Sequence, residues 1–231
     1  MNEIVKKQNL ITRTFGYIQK NYKIFSMIIF IFLATILLFQ ITSQFSKNKI
    51  LKSSIVYNEI KSNNSKIQFN DLVANISKDK NFYSVLAFLE DIQIKLKNNE
   101  IETAYNDYIF LIEEINYDSL YKSAIAIQAA YNFLDKINFT ELKKTYSLFS
   151  STNYYKYINE IIKFVDGSIS SYEGHRLEIE YLLLITEQNY NGDMQIYDDA
   201  LKIYDTIQES KNISSAIKER VKKINDFQKY K

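Results

Sequence analysis

FYSVLAFLEDIQIKLK (82–97), followed at once by NNEIETAYNDYIFLIEEI (98–115), decides the fold. In the first segment Phe82, Val85, Leu86, Leu89, Ile92 and Leu96 recur at steps of three and four, which puts them on one stripe of a helix. The second repeats the pattern at Ile101, Ala104, Tyr105, Tyr108, Leu111, Ile112 and Ile115. Asn99 precedes Glu102 by three, a capping-box-like start for the second helix. Only two or three residues are left for the turn, and so short a connection makes the two helices antiparallel neighbours.

The pattern continues toward the C-terminus. SLYKSAIAIQAAYNFLD (119–135) carries Leu120, Ala124, Ile127, Tyr131 and Leu134; TELKKTYSLFS (140–150) carries Leu142, Tyr146 and Phe149 with Thr140 as N-cap. HRLEIEYLLLITE (175–187) is followed by IYDDALKIYDTIQES (196–210), with NYNGDMQ lengthening the turn, and a last helix over 213–229 presents Ile217, Val221 and Ile224. Ala87, Ala104, Ala124, Ala130 and Ala200 stand where a larger side chain would push paired helices apart. Equivalent helices of the first two pairs start about 37 residues apart, near the period of helix-turn-helix repeats. The expected fold is all-α, a short array of antiparallel helix pairs, with a plain helical bundle as the alternative that the same periodicity allows.

Upstream, YKIFSMIIFIFLATILLFQITSQF (22–45) has no charged residue from Ile24 to Ser46. As a helix that run is about 34 Å long, enough to cross a hydrocarbon layer of about 30 Å. It is longer than the apolar core of a cleavable leader and lacks a small-x-small site, so it reads as a retained anchor with Ile24, Phe25, Ile28, Phe32, Leu37 and Ile41 toward lipid. The chain thus divides into a basic tail (1–23), an anchor (24–45), a connecting helix and loop (46–80) with KSNNSKIQFND (61–71) as its most loop-like part, and a helical domain (81–231). Lys and Arg flank both ends of the span in similar number. The tail holds five basic residues against Glu3 alone, a mild preference for a cytoplasmic N-terminus.

Composition excludes more than it assigns. With 29 Lys and Arg against 27 Asp and Glu, the formal charge is +2 and resides in the tail, so the rest offers no basic stripe for nucleic acid. KERVKK (218–223) reads as a solvated helix face. The chain lacks Cys and offers no phosphate-binding glycine motif. Its one histidine, His175, lies near Glu173, Arg176 and Glu178, too few ligands for a metal and no aligned catalytic set, and reads as a residue near solvent at a helix start. Asp198 and Asp199 complement a helix N-terminus, and Glu113 with Glu114 forms an exposed acidic face. The expectation is no catalytic residue, metal, cofactor, nucleic acid or small-molecule substrate. The candidate binding residues are Tyr154, Tyr155 and Tyr157 in STNYYKYINE (151–160), which cannot all enter one core stripe and so leave at least one ring for a protein partner.

NYKIFSMIIFIF, KNFYSVLAFLEDIQIKLKNNEIETAYNDYIFLIEE, YEGHRLEIEYLLLITEQ and the terminal SSAIKERVKKINDF carry a resemblance. The chain resembles the tetratricopeptide repeat-like family of ancillary Sec translocon subunits (YfgM type) of Gram-negative bacteria. That resemblance implies degenerate tetratricopeptide-like repeats, a single-pass anchor in the bacterial inner membrane with the N-terminus in the cytoplasm, and a periplasmic helical domain. It further implies a scaffold or co-chaperone whose partners are translocon components, periplasmic chaperones or exported clients beside the lipid bilayer. Two other functions stay open: a subunit of another envelope-assembly complex, and a membrane-bound hydrolase using paired carboxylates.

Overall fold

Helix spans the regular structure throughout the computed structural model, which describes residues 20–62, 73, 81–114 and 118–230; no strand occurs among them. The chain forms two units, residues 1–83 and 84–231.

In the first unit α1 (Tyr22–Ser62) is one uninterrupted helix of 41 residues, so the anchor and the connecting helix are continuous. No Gly or Pro falls inside it to break it. At 1.5 Å per residue it is roughly 60 Å long. Its segment Ser26–Ser62 is, among the described residues, the one helix long and apolar enough to cross a membrane. Ile24, Ile28, Phe32, Leu37 and Ile41 are all exposed; the side chain of Phe25 lies outside the described residues. Thr35 and Thr42 donate their hydroxyls to the carbonyls of Ile31 and Leu38, at 2.8 and 3.0 Å. Neither therefore leaves an unsatisfied hydroxyl on this apolar helix. Near the far end Asn81 Nδ2 donates to Ser53 Oγ at 2.7 Å. The loop expected over 61–71 lies, from residue 63 on, outside the described residues.

The second unit opens with the pair α2 (Phe82–Lys97) and α3 (Ile101–Glu114). Lys95 reaches Asp107 at 2.5 Å and Phe88 meets Phe110 with ring centroids 5.5 Å apart, contacts that converge on the turn as antiparallel neighbours require. Asn99 is not an N-cap. It takes φ 62° as the left-handed residue that ends α2: Glu100 N–H donates to Lys95 O at 2.9 Å and Asn99 N–H to Leu96 O at 3.3 Å. This pairing closes the carbonyls of the last turn, and Asn tolerates the conformation better than any other residue with a Cβ.

Next come α4 (Ser119–Asp135), capped by Asp118, and α5 (Phe139–Leu142). α4 packs on α3 and on two helices beyond it. It is therefore buried on more than the expected stripe: Ser123, Ile125, Ala126, Ile127, Ala129, Ala130 and Phe133 are buried, whereas Leu120 is exposed. The small alanines let several helices close on one. The helix expected over 140–150 is only four residues long. Asn138, not Thr140, caps it by accepting from the Thr140 and Glu141 N–H groups. The chain leaves the helix so that Phe149, fully buried at the start of a short 3₁₀ turn (Phe149–Ser151), can enter the core between Tyr155 and Tyr190.

α6 (Asn153–Ile162) and α7 (Ser170–Asn191) follow. α7 starts well before His175 and runs on to Asn191, where Gly192 turns left-handed at φ 76°. Asp193 then caps α8 (Met194–Glu209). The turn inside NYNGDMQ is thus short rather than lengthened. α7 is apolar on two faces: Ile179, Leu183 and Tyr190 join the larger core with α2 to α6, while Leu177, Tyr181 and Ile185 join a second core with α8 and α9 (Ser215–Lys229). Gly174 on α7 lets α9 come close, since a Cβ there would sit 3.0 Å from Ile217 Cδ1 and 3.2 Å from Ile213 Cγ2. The alanines expected at tight contacts bear this out at Ala87, Ala104, Ala130 and Ala200, each fully buried; Ala124 is half-buried.

Candidate functional site: a tyrosine-walled groove and a buried polar cluster

Thr152, buried at the entry to α6, accepts the Tyr155 N–H at 3.2 Å and fixes where the helix begins. From that start Tyr157, Ile158, Ile161 and Ile162 turn inward. Tyr157 is 6 % exposed and stacks on Tyr105 of α3, with centroids 3.9 Å apart and planes 12° from parallel; Phe133 lies 5.8 Å away on another side. Tyr105 donates its hydroxyl to Glu160 in a short hydrogen bond. Burial first, and Glu160 second, hold the Tyr105 phenol well above its ordinary pKa. Tyr154 and Tyr155 are half-buried against the same core, and burial raises both phenols.

Of the three candidate tyrosines, then, the structure sends Tyr157 into the core and leaves Tyr154 and Tyr155 at its edge. Tyr154 and Tyr157 nevertheless meet again in one wall. Together with Tyr146, Leu142, Glu100 and Glu102 they line an open groove of about 380 Å³. The Tyr157 phenol is raised by burial first and then by the negative field of Glu102, Tyr146 and Glu160. The sequence had placed Tyr105 and Tyr146 in helix stripes and offered no signal that α3, α5 and α6 would bring their ends together here.

A second cluster joins α4, α7 and α9. Glu178, 2 % exposed, accepts Arg220 Nε at 2.8 Å and Nη2 at 2.6 Å, and Tyr131 donates its hydroxyl to Glu178 Oε2 at 2.6 Å. Arg220 stays half exposed on the solvated KERVKK face and reaches Glu178 from its edge. His175 Nδ1 lies 3.1 Å from Tyr131 Oη. Because the Tyr131 proton is committed to Glu178, the proton of that contact comes from His175 Nδ1. Burial, then Glu178, raises the Tyr131 phenol; the hydrogen bond to Glu178 raises Arg220; burial lowers His175. His175 sits in the second turn of α7, half-buried, rather than at a helix start in solvent. Glu178, visible in the sequence only as a neighbour of His175, becomes the centre of the cluster because Arg220 arrives from a helix 42 residues away.

This arrangement joins three helices and gives Glu178 three hydrogen-bond donors. No group of three or more His, Cys, Asp or Glu side chains placed to hold a metal occurs among the described residues. Set against known proteins, the chain matches no protein-family model, no curated protein and no solved structure.

Proposed function

We propose that this is a membrane-anchored interaction protein of the bacterial inner membrane, with its N-terminus in the cytoplasm and residues 81–231 in the periplasm. The helical unit acts there as a scaffold or co-chaperone for exported proteins near the Sec translocon, and it carries no catalysis. α1 is the observation that carries the reading: a helix whose apolar side chains stand exposed along a length sufficient for a bilayer. Orientation rests on the basic tail and on the family resemblance.

The reading takes the helical unit as degenerate repeats. In support, α7 and α9 run side by side in the same direction, with Glu178 meeting Arg220 and Tyr181 meeting Asn225 at separations of 42 and 44 residues. Between α4 and α7 the separations are 44 and 47 residues. A nearly constant offset between neighbours is what stacked repeats produce.

Crosslinking in native membranes, with identification of the captured proteins, tests the role. Translocon subunits or periplasmic folding factors are the expected catch; capture of outer-membrane assembly components alone would move the function to another envelope complex. Cell fractionation tests the anchor independently, and recovery of the intact chain in the soluble fraction would overturn it.

A further inference from the structure

We propose that the groove walled by Tyr146, Tyr154 and Tyr157 receives one cationic side chain, a lysine or an arginine, presented by an extended segment of the bound polypeptide. This names the chemistry of the partner and rests on the reading of the helical unit as a protein-binding module.

Tyr157 is 6 % exposed, lines the groove and has no hydrogen-bond partner for its hydroxyl among the described residues. The ring is packed away while the hydroxyl stays open to the groove, where a group that enters can take it as a hydrogen-bond acceptor. Two carboxylates stand at the rim, Glu100 and Glu102, and no Lys or Arg is among the residues that line it. Glu100 accepts the Asn98 amide at 3.1 Å, while Glu102 makes no ion pair among the described residues. Of the cations near it in sequence, Lys143 lies 5.2 Å over the Tyr190 ring, Lys144 pairs with Glu141 at 2.8 Å, and Lys156 lines a separate groove with Asn159 and Glu160.

Charge arithmetic decides the sign. The N-termini of α3 and α6 each bring about half a positive charge to this spot, together less than the two carboxylates supply, so the groove repels anions and attracts cations. Its volume of about 380 Å³ has room for a lysine or arginine stem along Leu142 and the rings, with the charged head among phenol oxygens and carboxylates.

The test uses the full chain in detergent micelles and ligand-observed NMR with capped pentapeptides Gly-Ala-X-Ala-Gly, where X is lysine, arginine, glutamine or norleucine. The lysine and arginine peptides bind, more weakly as salt rises, and the neutral ones do not. Glu102→Gln and Tyr157→Phe each weaken binding about tenfold. Tyr157→Phe keeps the ring on Tyr105 and removes only the hydroxyl; should it fail to fold, the exposed Glu102→Gln carries the test alone. Equal binding of charged and neutral peptides, or wild-type affinity in the Glu102→Gln variant, overturns the proposal. If that happens while native-membrane crosslinking still captures partners, the module stands without this site; if lysine peptides bind but crosslinking captures nothing, the cation preference stands and the module reading falls.

Discussion

Glu178 of α7 and Arg220 of α9 meet at two points, Oε1 to Nε at 2.8 Å and Oε2 to Nη2 at 2.6 Å, with the carboxylate side chain 3 % exposed and the guanidinium side chain 50 % exposed. The pair is closed on one side and open on the other. Water screens Arg220, yet Glu178 depends on it and on Tyr131 for its hydrogen bonds.

Removing the arginine should therefore cost more than a surface ion pair and less than a fully buried one. Arg220→Ala is expected to lower stability by about 2 kcal/mol, and Arg220→Lys to recover less than half of that because an ammonium cannot match the two-point geometry. Urea unfolding followed by circular dichroism measures both. A loss below about 0.5 kcal/mol, the value of an exposed pair, would deny the cluster a role in joining α7 to α9.

His175 makes the same region sensitive to acid. Burial holds its pKa below the ordinary imidazole value, with Glu178 pulling it up and Arg220 down. The unfolded chain then takes up the proton first. The stability that His175 contributes is complete above about pH 6.5 and is lost as pH falls through the lower folded value. Glu187, raised by burial and by Asp193, works in the opposite sense. The informative quantity is thus the difference between wild type and His175→Gln: the urea midpoint of the wild type should fall more steeply between about pH 7 and pH 5. Parallel curves would show that His175 does not titrate against the fold.

Gly174 separates a tolerated from an untolerated side chain. The Cβ of an alanine would press on the Ile217 and Ile213 side chains at 3.0 and 3.2 Å. Those side-chain ends can shift, and alanine returns about 1 kcal/mol of helix propensity, so Gly174→Ala should lie within about 1 kcal/mol of wild type. Gly174→Val adds two methyl groups to the same contact and should cost about 1–3 kcal/mol. Thermal unfolding of the two variants checks the ordering, and equal midpoints would contradict the close approach of α7 and α9.

Asn99 ends α2 with φ 62°. Asn99→Gly should be neutral or slightly stabilising, while Asn99→Val, β-branched in a left-handed conformation, should cost about 1–2 kcal/mol. If the valine variant melts with the wild type, Asn99 is not held in that conformation.

Much of the helical plan was legible in the residues. The stripes of α3 and α9, and that of α2 from Val85 on, follow from steps of three and four, and Ile217 and Val221 are buried as their spacing required; Phe82, expected to open the α2 stripe, is 54 % exposed. Where the reading missed, a distant contact had intervened. Thr140 looked like a cap, but Asn138 took the role in a helix cut to four residues as Phe149 entered the core. Leu120 belonged to the expected stripe of α4, yet α4 is buried by several neighbours and turns its alanines toward them. The candidate tyrosines were adjacent in the chain; their separation into one core ring and two edge rings depended on Tyr105 and Phe133 from other helices.

The sequence by itself determined that α1 is long and apolar enough for a bilayer and that the rest is helical, because length, hydropathy and periodicity are local and additive along a chain. Only the tertiary structure decided that Arg220 completes Glu178, that Gly174 admits α9, and that Tyr146, Tyr154 and Tyr157 share a groove with Glu102. Those relationships join residues far apart in the chain, and they exist only once packing has fixed which helix faces which.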